Sequence, residues 1–102
     1  MNIVLLDNID IQQVYTEMPY KELLKRRMND SECGKQAQLI GKMVRYLFEE
    51  TEEFTKEELN IVDTVRIELQ DKFNKEWYSF SKEMRDLKDK RYYIEWRKEN
   101  EQ

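Results

Sequence analysis

The side chains able to do chemistry in this 102-residue chain are few and unevenly placed. Histidine is absent and cysteine occurs once, at Cys33. That removes the usual general base, the usual Cys–His nucleophile pair and the common zinc ligand sets. A cysteine near a helix start is a candidate thiolate, but Cys33 has no histidine to pair with and falls on an apolar stripe, so a structural core role is expected. Gly34 and Gly41 belong to no G-x-G or Walker pattern, so no phosphate-cradling loop is present. Carboxylates are plentiful. Residues 49–58 hold Glu49, Glu50, Glu52, Glu53, Glu57 and Glu58 against Lys56, a local charge of −6 + 1 = −5. Glu49 and Glu53, four apart, could share a divalent ion with Glu50 or Glu57. The segment lacks the alternating Asp/Asn ligands and central glycine of an EF-hand, however. A solvated helix junction is expected there, or an acidic patch that docks on a basic surface. No catalytic residue, metal or cofactor is assigned, and no enzymatic activity is expected.

The second concentration of functional side chains is C-terminal. Six of the twelve aromatics lie in residues 77–96, interleaved with Lys82, Lys88, Lys90, Arg91, Arg97 and Lys98. On a helical wheel Tyr78, Arg85, Tyr92 and Trp96 fall together, opposite the main apolar stripe. Tyr, Trp and Arg are the side chains most often found as interface anchors. Tyr78, Arg85, Arg91, Tyr92 and Trp96 are therefore the candidate partner-binding residues, with packing inside the fold or a dimer as the competing role for Tyr92, Tyr93 and Trp96. Residues 82–98 carry seven basic against four acidic side chains (+3), and residues 19–29 carry four against one (+3). Both segments could contact phosphates, although a net charge of −4 works against nonspecific nucleic-acid binding.

The elements that must position these residues are helices. Charged residues make up 39% with only 2 Gly and 1 Pro, the balance of long Glu/Lys-rich helices rather than of a sheet needing many turns. Apolar spacing predicts a helix from Asp10 that Pro19 interrupts, forcing Met18 out of helical angles. A second helix follows Pro19, and Asn29-Asp30-Ser31 stops it and caps a third over 32–50. The apolar face of that third helix, from Cys33 through Ala37, Ile40, Met43, Val44, Leu47 and Phe48, is wide enough for two neighbours. Thr55 and Glu58 form a capping box, with Phe54 and Leu59 as its hydrophobic staple. From Leu59 to Ile94 ten apolar residues stay in a sector about 120° wide. This phase predicts one helix over about 56–97, with a cap at Ser79 or Ser81 as the alternative. Residues 3–6 are open between a strand and a helical turn.

The expected architecture is all-α and a single domain over 1–102. It is a small helical bundle built on an antiparallel hairpin of about 32–50 with 56–97. Such a C-terminal helix would be roughly 60 Å long, twice its partner, and needs cover from the N-terminal segments or from a second chain. No apolar run approaches a membrane span and no basic residue precedes Ile3-Val4-Leu5-Leu6, so no signal peptide or membrane anchor is expected and a cytoplasmic location is the default. The functional expectation is a non-enzymatic helical protein-binding module: a small regulator, inhibitor or adaptor, with a homodimer as one form. Compact acidic helical proteins of this kind occur among phage and mobile-element products that block host proteins. The alternative is a nucleic-acid-binding regulator that uses residues 19–29 and 82–98.

Overall fold

The computed structural model describes residues 8–101, which leaves residues 3–6 outside the described part of the chain. The described residues form an all-α fold of five helices: α1 Ile11–Glu17, α2 Tyr20–Asn29, α3 Glu32–Glu50, α4 Lys56–Ser79 and α5 Lys82–Asn100. No helix among them is long and apolar enough to cross a membrane. Two compact units can be distinguished. One runs up to Arg27 and resumes at Tyr78; the other is Met28–Trp77.

Local sequence explains most helix ends. Asp10 caps α1, its carboxylate accepting from the Gln12 N–H at 3.2 Å. Met18, before Pro19, takes an extended conformation with ψ of 126° and closes that helix. Ser31 caps α3 by accepting from the Gly34 N–H. At α4 the capping box is complete: Glu58 N–H donates to Thr55 Oγ1 at 3.1 Å, and Thr55 N–H donates to Glu58 Oε1 at 3.0 Å.

The single helix expected over 56–97 is instead two. α4 stops at Ser79, and Ser81, extended at ψ 157°, caps α5 through the Met84 N–H at 3.2 Å. A serine hydroxyl offers the backbone a local partner that competes with continuing the helix. The apolar phase missed this because it is not the phase of burial. In α5 the buried residues are Asp89, Tyr92 and Tyr93, whereas Phe80, Met84 and Leu87 of the apolar stripe are exposed.

In the first unit, α1 and α2 pack on the face of α5 that carries Asp89, Tyr92 and Tyr93, and not on its apolar stripe. Val14, Met18 and Leu23 are buried there with Tyr92 and Tyr93, each aliphatic side chain contributing about 1.5–3 kcal/mol. Asp89 is fully buried and takes Arg27 Nε at 2.9 Å, Arg27 Nη2 at 2.5 Å and the Tyr15 hydroxyl at 3.0 Å. Three donors make burial of this carboxylate tolerable. Tyr93 donates to Glu17, which also pairs with Arg97 at 2.7 Å.

In the second unit, α3 and α4 run antiparallel. Ser31 at the start of α3 donates to Glu76 near the end of α4 (2.6 Å), and the Lys56 ammonium lies 6.0 Å over the Phe48 ring at the other end. Ala37, Leu59, Phe73 and Trp77 are buried in this unit, with the Phe73 and Trp77 rings 6.3 Å apart. Gly34 is required: a Cβ there would sit 2.4 Å from the Met28 carbonyl oxygen.

Candidate protein-interaction surfaces

The residues expected to bind a partner divide between surface and interior. Tyr78 is exposed and carries the Arg85 guanidinium 5.2 Å over its ring. Arg91 is exposed. Tyr92, by contrast, is buried in the first unit, which is the packing role and not a surface one. Trp96 is half-buried, its ring 6.0 Å from that of Tyr93. Arg85 is half-buried as well, and its buried Nε has no hydrogen-bond partner among the described residues. The wheel face left free by hydropathy is thus largely the inner face of α5. Hydropathy misplaced it because Asp89 counts as a surface residue until Arg27 and Tyr15 are brought to it.

The acidic run behaves as a solvated surface. Glu49 and Glu50 end α3, Glu52 and Glu53 lie in the connection, and Glu57 opens α4; all five are exposed. Glu53 N–H donates to Thr51 Oγ1 at 3.0 Å. Among the described residues no group of three His, Cys, Asp or Glu is arranged to hold a metal ion. Glu49 and Glu50 sit where the helix dipole disfavours negative charge, with no basic residue in that last turn. Local helix stability therefore does not account for their placement.

Cys33 donates to Glu76 Oε1 at 3.5 Å. Partial burial and this carboxylate push its thiol up, away from the thiolate form a nucleophile needs. Three arginines of the basic segments are paired with carboxylates. Arg26 pairs with Glu22 at 3.0 Å, with Glu95 at 3.5 Å and with Glu99; Arg27 pairs with Asp89; Arg97 pairs with Glu17 and with Glu101 at 3.0 Å. A cleft of about 320 Å³ lined by Tyr15, Met18, Tyr20, Leu23 and Arg27 lies in the same unit.

A further apolar surface lies on the α3–α4 hairpin. α3 turns Ala37, Gly41, Val44 and Phe48 toward α4, as the burial of Ala37 and the lining shared with Leu59, Asn60 and Asp63 show. Its second apolar side has no cover among the described residues: Met43 is 53% and Tyr46 64% exposed, and Leu39 is exposed beside them. A groove of about 350 Å³ runs here between Lys42, Met43, Tyr46 and Leu47. In α4, Ile61 (71%), Val62 and Val65 are also exposed. Because the helices are antiparallel, the wheel puts Ile40, Met43 and Leu47 on the same side of the hairpin as Val62, Val65 and Leu69. The width of the α3 stripe was the available signal for this surface. Comparison with protein-family models, curated proteins and solved structures finds no match.

Proposed function

We propose that this protein is a non-enzymatic protein-binding module, a small regulator, inhibitor or adaptor, that works through the uncovered side of the α3–α4 hairpin. The observation that carries this reading is that α3 is apolar on two sides while α4 covers one. A helix with so wide an apolar face fits between two neighbours, and exposed apolar patches of several hundred Å² mark interaction sites in soluble proteins. The acidic tip beside this side supports a role in steering an approaching partner by charge. The nucleic-acid alternative draws less support, because Arg26, Arg27 and Arg97 are already paired with carboxylates.

The reading is tested by placing a photo-crosslinking side chain at Met43 or at Val65, with Thr64 on the outer face of α4 as the control. Crosslinking of one defined protein from positions 43 and 65, and not from 64, is the expected result. Equal yields from all three positions, or none from any, would end it.

A further inference from the structure

The stripe on α4 that borders this uncovered side has a symmetry of its own. Glu58, Ile61, Val65, Leu69 and Lys72 fall within about 80° on the wheel. They lie roughly 100° around from the Leu59–Phe73–Trp77 face buried in the hairpin. Val65 is the midpoint. Four residues to either side stand the aliphatic Ile61 and Leu69; seven residues to either side stand Glu58 and Lys72, of opposite charge. Both charged side chains are exposed. Glu58 uses Oε1 in the capping box.

A surface that is apolar at its centre and inverts its charge across that centre is complementary to itself when turned through a two-fold axis. Resting on the protein-binding reading above, we infer that the occupant of this side is a second copy of the chain, with α4 docked antiparallel on α4 about a two-fold axis at Val65. Val65 then meets Val65 of the other copy, Ile61 meets Leu69, and Glu58 meets Lys72 twice. Glu68, opposite Val62, lies at the outer edge of the stripe, where its carboxylate reaches solvent. On the α3 half of the same side, Ile40, Met43 and Leu47 meet their counterparts, so the two hairpins close into a four-helix arrangement. A parallel pairing is disfavoured because it would put Glu58 on Glu58 and Lys72 on Lys72.

Sedimentation velocity over a concentration series reads the proposal. The native chain is expected to dimerise. Glu58→Lys and Lys72→Glu should each weaken the dimer about tenfold, because the two-fold turns both attractive pairs repulsive. The double swap should restore association. An equimolar mixture of the two single variants should form a heterodimer, since one chain is then positive at both ends of the stripe and the other negative. Glu58→Lys also removes a capping contact, but the double swap carries the same lesion, so its recovery isolates the charge pairing. Val65→Cys in a Cys33→Ser background should form an intermolecular disulfide with oxidised glutathione, and Thr64→Cys should not. A chain monomeric at every concentration that still crosslinks another protein from Val65 would overturn the second-copy inference and leave the binding reading standing. A dimer indifferent to both charge reversals would overturn it too. A crosslink from Val65 into residues 3–6 of the same chain would overturn both.

Discussion

Asp89 is the residue whose loss should be felt most in the first unit. It is fully buried and accepts from Arg27 Nε, Arg27 Nη2 and the Tyr15 hydroxyl. Asp89→Ala removes one partner of a buried ion pair and leaves the other, which costs about 3–5 kcal/mol where neither group reaches water. The Arg27 side chain is 15% exposed and retains some hydration, which points to the lower end, about 3 kcal/mol. Tyr15, 46% exposed, can turn its hydroxyl to solvent and adds at most about 1 kcal/mol. A loss of about 3–4 kcal/mol is a large part of the roughly 5–15 kcal/mol that holds a small domain folded. At about 4–8 °C per kcal/mol it lowers the melting midpoint by about 12–30 °C. Urea unfolding followed by circular dichroism, with Trp96 fluorescence in a Trp77→Phe background reporting on this unit, measures it. The triple replacement Arg27→Met, Asp89→Leu, Tyr15→Phe removes the charges and their partners together and should return to within about 1 kcal/mol of the native chain. A loss under about 1 kcal/mol for Asp89→Ala would refute the reasoning, since the carboxylate would then not be holding a buried charge.

Other perturbations separate the remaining claims. Gly34→Ala should destabilise by about 2 kcal/mol or more in chemical denaturation, because the new methyl meets Met28 backbone atoms at 2.4–2.9 Å. Gly41→Ala meets only the flexible Arg66 side chain at 3.0 Å; the helix-propensity gain of up to about 1 kcal/mol should make it neutral or stabilising. Ser81→Ala should cost about 1 kcal/mol in the same assay by removing the α5 cap. Burial of its hydroxyl end, then the Asp89 charge, push the Tyr15 phenol up to about 12 from 10.0. The unfolded chain loses that proton first, so this contribution to stability is complete below pH 10 and disappears as pH rises toward 12. Alkaline unfolding of Tyr15→Phe should therefore show a shallower loss of stability over that window than the native chain.

Much of this fold was legible because its helix boundaries are written in local chemistry. Thr55 and Glu58, Pro19 after Met18, and Ser31 before Glu32 each act within a few residues, and each helix end they mark is where the residue types place it. Ser81 acts just as locally, but the apolar phase running past it argued for continuity. Residues at helical spacing keep phase across a two-residue interruption, so phase alone does not show whether the backbone hydrogen bonds continue. The inner face of α5 was less legible for a different reason. Asp89 becomes a core residue only when Arg27, 62 positions away, and Tyr15, 74 positions away, supply its donors, and no window along the chain contains that information. Hydropathy leaves Tyr92 open between packing and partner binding and puts Met84 and Leu87 on the inner stripe, whereas Tyr92 is buried and the other two are exposed. The uncovered side of α3 was the reverse case. The width of the stripe announced a second neighbour, and the described chain covers only one of its sides.

An uncovered apolar side on a small protein invites open-ended association, and the charges around this one bear on that hazard. A heterologous contact can propagate into a filament, whereas a two-fold contact closes after two chains. On α4, sliding one copy by a heptad along the other would bring Val65 against a charged end of the stripe, and a parallel pairing would stack like charges. Only the antiparallel register centred on Val65 satisfies the aliphatic and charged positions together. The tip of the hairpin, with Glu49, Glu50, Glu52, Glu53 and Glu57 all exposed, would repel the tip of another copy and so disfavours end-to-end growth. On the second-copy reading, the acidic run that offers no metal site gains a physical role: it restricts the register in which the apolar side can be covered. Raising salt should then weaken the selectivity for that register before it weakens association itself, because screening acts on the exposed charges and not on the apolar contact.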